Sequence, residues 1–467
     1  MDRASGSRSQ PTDRRRCSRR TLLTLSGVGL TGTLAGCTGS ESDDSGETPA
    51  GENGDENGTD ESSTEDSAGF DASFLGESAS SHVGATDGFA DASWLSETEP
   101  EVYTVTSLEG SGEGSLREAI DRRGPRIVVF EVGGVVDLEG ASIEVDRPGL
   151  YVAGQTAPSP GITIIRGGIR VDADNVLLQH IRVRPGDEIP SEIDCLSNAG
   201  GSNVIFDHCS ASWGTDESVS TNSGREKPDI TFSNNLIAEC LNDSIHPKGA
   251  HSYGTLVMDR SKRVTIAGNL WANTVARHPR LKGGTSSVVA NNVGYNFERA
   301  LNLGGGVDDE TTASIVGNYY RAGPRTPTDD AVVGTTYTDA KGPITAYIAY
   351  NETDPSSMPV TGNEGGITMA SQRPLWPDDL KTVRGGQAYD TVLSGVGARP
   401  ADRTAHDERI LEHVREGMGA IIDSQEDVGG YPDLEETTHA LDVPDEGVGE
   451  WLAQWARAVE DPAASPL

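Results

Sequence analysis

Three groups of residues have the types and spacing to do chemistry. Asp207-His208, Trp213 and Asp216-Glu217 fall within residues 205–217, and Asp194 lies one strand earlier in Glu-Ile-Asp-Cys-Leu. The third group, Arg277-His-Pro-Arg280-Leu-Lys282, is basic. Asp194, Asp216 and Glu217, with water, suit a hard cation such as Ca2+, which takes oxygen ligands. No His or Cys pair accompanies them at the spacing of a zinc site. In a chain this acidic the alternative is a solvated acidic face.

These groups must be brought together by a repeat. The segment Val176-Leu-Leu-Gln-His-Ile181 is echoed at residues 204–209, 230–235, 264–269, 287–292, 313–318 and 346–351. The last residue of the segment returns every 23 to 34 positions, and in the last five it is Asn: Asn235, Asn269, Asn292, Asn318 and Asn351. A short apolar strand recurring in one phase predicts stacked coils. An Asn at the turn of each coil tolerates left-handed backbone and bonds its equivalent one coil away, forming a ladder. The predicted fold is therefore all-β, a right-handed single-stranded parallel β-helix. Coils stack about 4.8 Å apart, which puts matching phases on neighbouring coils within reach of one cation. Residues 115–120 predict a short capped helix near the start. Residues 409–422 and 450–459 have helical apolar spacing and are expected to cap the solenoid or lie along its side.

Composition agrees. Of 467 residues only 34% are hydrophobic and 5% aromatic, against 57 glycines, which suits short strands and many turns better than a helical bundle. The net charge of −36 excludes a nucleic-acid binder, which needs a basic surface. It also fits solubility in concentrated salt, where the Debye length falls to roughly 3 Å at 1 M. Beyond the leader, Cys195, Cys209 and Cys240 are an odd set without zinc-like spacing and read as buried thiols, with a bridge between one pair left open.

The N-terminus carries signals of export. Ser18-Arg19-Arg20-Thr21-Leu22-Leu23 resembles a twin-arginine motif, and the apolar run that follows is too short to span a membrane. Leu34-Ala35-Gly36-Cys37 resembles a lipobox, which makes Cys37 a lipidation candidate. Residues 38–69 hold almost nothing apolar and predict a disordered tether. A domain over 70–432 and a helical extension over 433–467 are expected, in a monomer that touches the membrane only through its lipid.

Several stretches, in order over some 330 residues, resemble polysaccharide lyase family 1, the pectate lyases, in a bacterial and archaeal branch. They are Ser-Gly-Glu-Gly-Ser-Leu-Arg-Glu-Ala-Ile (111–120), Val-Phe-Glu-Val-Gly-Gly-Val-Val (129–136) and Ala-Gly-Gln-Thr-Ala-Pro (153–158). Asp207-His208 with Trp-Gly-Thr-Asp-Glu (213–217), residues 277–282, and Ile-Ile-Asp-Ser (421–424) near Gly-Gly-Tyr-Pro (429–432) complete the set. The resemblance implies a Ca2+-dependent cleft acting on polygalacturonate. It implies Arg277 as catalytic base, Lys282 and Arg280 toward substrate carboxylates, and Asp194, Asp216 and Glu217 as the Ca2+ side. His251 falls near a substrate-binding Lys of the family, with Lys248 as its rival, and Asp207, His208 and Trp213 are expected to organise the cleft. Elimination from a uronate removes the proton α to the carboxylate, and a cation on that carboxylate stabilises the charge that develops. Two other readings remain. A β-helix hydrolase would need paired carboxylates about 5 to 9.5 Å apart and leave Arg277 idle. A surface carbohydrate-binding solenoid would need no catalytic set.

Overall fold

Each of the seven repeated hexads contributes a strand to one parallel sheet. The computed structural model describes residues 70–222, 228–335, 342–362, 366–461 and 463–464; the leader, the tether and Cys37 lie outside them. Val176–Gln179, Val204–Asp207, Ile230–Ser233, Val264–Ala267, Ser286–Ala290, Thr311–Val316 and Ile344–Ala349 are consecutive neighbours in an 11-stranded first sheet. A second sheet of ten strands and a third of eight follow the same order. Each complete coil supplies one strand to each sheet, while the coils at the two ends supply fewer. Val204–Asp207, Ser210–Ser212 and Glu217–Thr221 thus lie beside Ile230–Ser233, Leu236–Ala238 and Tyr253–Val257 of the next coil. With crossovers of the usual hand, this is a right-handed parallel β-helix.

The period-2 alternation of each strand fills the bore. Phe206, Cys209, Ala211 and Val219 are fully buried in one continuous core, and Phe206 stacks on Phe232 of the next coil at 5.2 Å. Cys195, Cys209 and Cys240 are free and buried, as expected.

The ladder forms as predicted. Asn235, Asn269 and Asn292 each donate from Nδ2 to the Oδ1 of the next ladder Asn at 2.9 Å, and Asn318 does so to Asn351 at 2.8 Å. Cys209 occupies the same phase, its N–H donating to Asn235 Oδ1. One expectation is corrected: the ladder residues are not the left-handed ones. Positive φ falls one position earlier, at His180, His208, Asn234, Gly268, Asn291, Gly317 and Tyr350. The turn strain thus sits on one residue and the lateral bonding on the next. Asn292 Oδ1 accepts the N–H of Asn269, and its Nδ2 donates to the Ile266 carbonyl. Asn292→Ala strands those buried groups and is expected to cost about 1–3 kcal/mol for each, read as a lowered denaturant midpoint at unchanged slope.

Five α-helices occur among the described residues: α1 (Ser93–Glu97), α2 (Leu116–Ile120), α3 (Gly385–Gly395), α4 (Ala405–Glu416) and α5 (Val448–Glu460). In α2, Ser115 Oγ accepts the N–H of Glu118, the predicted cap. Helix α4 stops at Glu416, where Gly417 turns left-handed, short of the expected Ile422, and α3 was not foreseen. The helices lie along the solenoid. Helices α3 and α4 cover the second sheet through Val392, Leu393, Ile410 and Val414 packed on Leu236, Leu270 and Tyr295. Helices α1 and α5 cover the first sheet, where Trp94, Leu95 and Leu452 meet Tyr151, Leu177 and Ile205. The described residues from 433 onward are therefore packed onto the solenoid in one unit with it, and Thr437–Thr438 adds an antiparallel strand to the second sheet. No helix among the described residues is long and apolar enough to cross a membrane.

Candidate active site

With two sheets covered, the outer face of the third carries the polar groove. Register aligns Arg170, Ser197, Ser220, Leu256 and Arg280 as one row on successive coils. The groove beside it has a volume of about 470 Å3 and also presents Asp216, Glu217, Lys248, His251, Arg277 and Lys282.

On the acidic side, Asp194 and Asp216 precede the strands Leu196–Asn198 and Glu217–Thr221 of adjacent coils. Their turns are laced together. Thr215 N–H donates to the Ile193 carbonyl at 3.0 Å, Ile193 N–H donates to Thr215 Oγ1 at 2.9 Å, and Glu217 N–H donates to Asp194 Oδ1 at 2.9 Å. One oxygen each of Asp194, Asp216 and Glu217 lies within 4.8 Å of the others. Burial pushes the Asp194 carboxyl up to about 7, and the charge of Asp216 adds to the rise while Ser220 opposes it. Three carboxylates this close repel one another, and a hard cation relieves that. The all-oxygen donor set fits Ca2+.

The fold adds imidazoles that spacing did not reveal. His251 Nε2 lies 2.8 Å and His246 Nε2 3.5 Å from Asp216 Oδ1, and their rings stack at 3.6 Å. Burial acting to raise the Asp216 carboxyl is outweighed by the bond and charge of His251, so it sits below its usual range. His251, expected against substrate, is buried and turned to Asp216, whereas Lys248 is exposed at the groove. The loop bearing all three is held at its base by the C-terminal segment, with Asn242 N–H donating to the Ile422 carbonyl at 2.9 Å.

On the basic side, Arg280-Leu281 is a strand of the third sheet, with Arg280 outward and Leu281 in the core. Arg277, at φ 70°, lays its guanidinium 3.8 Å over the Tyr253 ring and pairs with Glu217. Gly254 lets the Arg277 segment close in, since a Cβ there would stand 2.8 Å from the Arg277 carbonyl. Lys282 is ion-paired with Asp259 Oδ2 at 2.7 Å. Tyr253, Asp259, His246 and Arg170 are the site residues that sequence reasoning missed. Tyr253 alone was within reach, because aligning the coils sets it opposite Glu217.

Three expected cleft residues are elsewhere. Asp207 and His208 lie at the corner between the first and second sheets. Asp207 accepts from Gln179, Ser233, Asn234 and His208, and His208 faces Ser80. Their side chains leave the strand one sheet before the groove, so they organise the chain ends. Burial would lower the His208 pKa, but the charges of Asp207 and Glu460 raise it to about 9. Trp213, 1% exposed, packs edge-on to His406 and Tyr431 with Leu241 and Ile422 beside it, so it anchors the C-terminal segment.

The chain matches no family model. It is 32% identical over 360 residues to a protein of Aspergillus flavus named “Probable pectate lyase C”, across 74% of this chain and 81% of that one. A protein of the same name from Emericella nidulans is 33% identical over 360 residues, across 74% and 80%. Among solved structures, a pectate lyase bound to a hexasaccharide has 14% identity and a TM-score of 0.48, across 65% of this chain and 93% of that chain.

Proposed function

The chain belongs to the pectate lyase family, and on that premise we propose that it cleaves polygalacturonate by β-elimination with Arg277 as the base. One observation carries this reading. A carboxylate set and a cationic set converge on one groove, Asp194, Asp216 and Glu217 facing Arg277, Arg280 and Lys282.

Asp194, Asp216 and Glu217 would hold Ca2+, which would supply positive charge against a substrate carboxylate and so acidify the proton α to it. Arg280 and Lys282, with Lys248 at the rim, bind neighbouring uronates and reverse locally the repulsion of a chain carrying −36. Arg277 is clamped on Tyr253, which holds its Nη atoms at the groove. A guanidinium is a poor base while a carboxylate partner stabilises its proton. Moving Glu217 off Arg277 toward Asp194 and Asp216 removes that partner. Once Arg277 has given a proton to bulk water it takes the C5 proton, and the C4 oxygen departs with a proton from water, leaving a 4,5-unsaturated end. His246 and His251 hold Asp216 in place and do not touch the reacting atoms.

Incubation with polygalacturonate and Ca2+ in molar salt is expected to produce ultraviolet-absorbing unsaturated ends, and chelation to abolish them. Reducing ends without that absorbance would mean hydrolysis. Twin-arginine export, attachment through Cys37 and action outside the cell as a monomer complete the proposal. In an exporting host, Cys37→Ala should release the chain from the membrane fraction into the medium; an unchanged distribution would remove the anchor.

A further inference from the structure

His180 and His208 occupy equivalent positions on adjacent coils, each just after a strand of the first sheet. Their rings stack at 5.1 Å. Each Nδ1 is engaged from behind, that of His180 by the Ala398 carbonyl at 2.8 Å and that of His208 by Asp207 Oδ2 at 2.7 Å. A carbonyl only accepts, so His180 carries hydrogen on Nδ1 and, in the neutral ring, a lone pair on Nε2. That Nε2 is buried and makes no hydrogen bond, although Glu460 Oε1 stands 3.5 Å away. His208 Nε2 has Ser80 Oγ at 3.2 Å. The second oxygen of Glu460 accepts from Ser78 Oγ and the Ala79 N–H, both at 2.7 Å.

One donor atom each of His180, His208 and Glu460 lies within 4.8 Å of the others, in residues only 0%, 1% and 4% exposed. An imidazole whose Nδ1–H is tied to a carbonyl or carboxylate is the form in which proteins present Nε2 to a metal. Two such rings and a carboxylate are an N/O donor set of the zinc class, unlike the all-oxygen set of the groove. We propose that His180, His208 and Glu460 form a structural site for a zinc-class dication. The ligands come from two coil corners and the last residue of α5, with the strap of residues 78–81 behind them. An ion here staples both ends of the described chain to the middle of the solenoid, and its binding energy adds to folding. Ser80 Oγ or a water completes the coordination.

The test uses the whole protein, stripped with EDTA, desalted into millimolar calcium and given zinc alone. One zinc per chain should survive desalting and raise the melting temperature by several degrees. Cobalt in its place should show the visible bands of a tetrahedral site without thiolate charge transfer. Glu460→Gln and His180→Gln, each compared with itself with and without zinc, should lose both the ion and the shift. Should one variant fail to fold, the other decides. His251→Gln removes an imidazole from the other mixed set, Asp216 with His246 and His251, and should keep both. No zinc-dependent shift in the wild type overturns the proposal and leaves a protonated His208 between Asp207 and Glu460. So does a shift lost in His251→Gln but retained in Glu460→Gln.

Discussion

Arg277→Lys is expected to fold normally, bind oligogalacturonate and lose nearly all turnover. The replacement keeps a positive charge beside Glu217, so the electrostatic attraction of the groove is largely preserved. It removes the flat guanidinium that lies 3.8 Å over Tyr253, and an ammonium on a flexible stem does not reproduce that fixed plane. A lysine also gives up its proton more easily, so any loss comes from position and not from basicity. The expected loss in kcat is about 10²–10⁴-fold, the range for a positioned general base, with KM little changed. The checks are steady-state formation of unsaturated product, calorimetric binding of a short oligogalacturonate to the variant, and a denaturant melt. Wild-type turnover would remove Arg277 as the base. A rise in KM alone would make it a substrate anchor.

Asp407→Ala carries the largest expected cost to stability. Asp407, in α4, is buried and accepts from Arg184 Nη2 at 2.7 Å, Arg182 Nε at 3.1 Å and Ser210 Oγ at 2.9 Å. Both guanidiniums are fully buried on the second sheet. Removing their carboxylate leaves two uncompensated charges, and breaking a buried pair costs about 3–5 kcal/mol. Burial would raise the Asp407 carboxyl, but the charges of Arg184 and Arg182 outweigh it and hold it well below the usual carboxylate range. A carboxyl depressed in the folded state contributes its full stability above its unfolded value, about 3.9, and loses it as pH falls through the folded value. The gap between wild type and variant should therefore be full at pH 7 and shrink progressively below about pH 4. It should also persist in molar salt, because buried pairs are screened far less than surface ones. Urea melts at two pH values and two salt concentrations measure this. A gap under about 1 kcal/mol, the value of a surface pair, would show that Arg182 and Arg184 find other partners.

The solenoid was legible in the sequence because its signal is local and repeated. Seven apolar hexads in one phase specify a strand, and five Asn residues at their ends specify lateral bonding between coils, with no knowledge of what else packs there. Asp194, Asp216, Glu217, Arg277, Arg280 and Lys282 were legible for a related reason. Stacking converts a repeat phase into proximity, so residues one or two coils apart become neighbours.

Other features needed the tertiary structure, because their partners share no phase of the repeat. The position of α3 and α4 on the second sheet depends on Asp407 meeting Arg182 and Arg184, 225 and 223 residues apart in the chain. His251 is directed to Asp216 by a loop whose base is tied to Ile422. Asp207-His208 stands next to the carboxylates in sequence, but a coil of three strands turns a corner between them. That corner sends Asp207-His208 to the chain ends and Asp216-Glu217 to the groove. The sequence by itself determined the repeat, and with it which acidic and basic residues could meet. Only the tertiary structure decided which sheet stays open to a polysaccharide, because that depends on where the non-repeating ends pack.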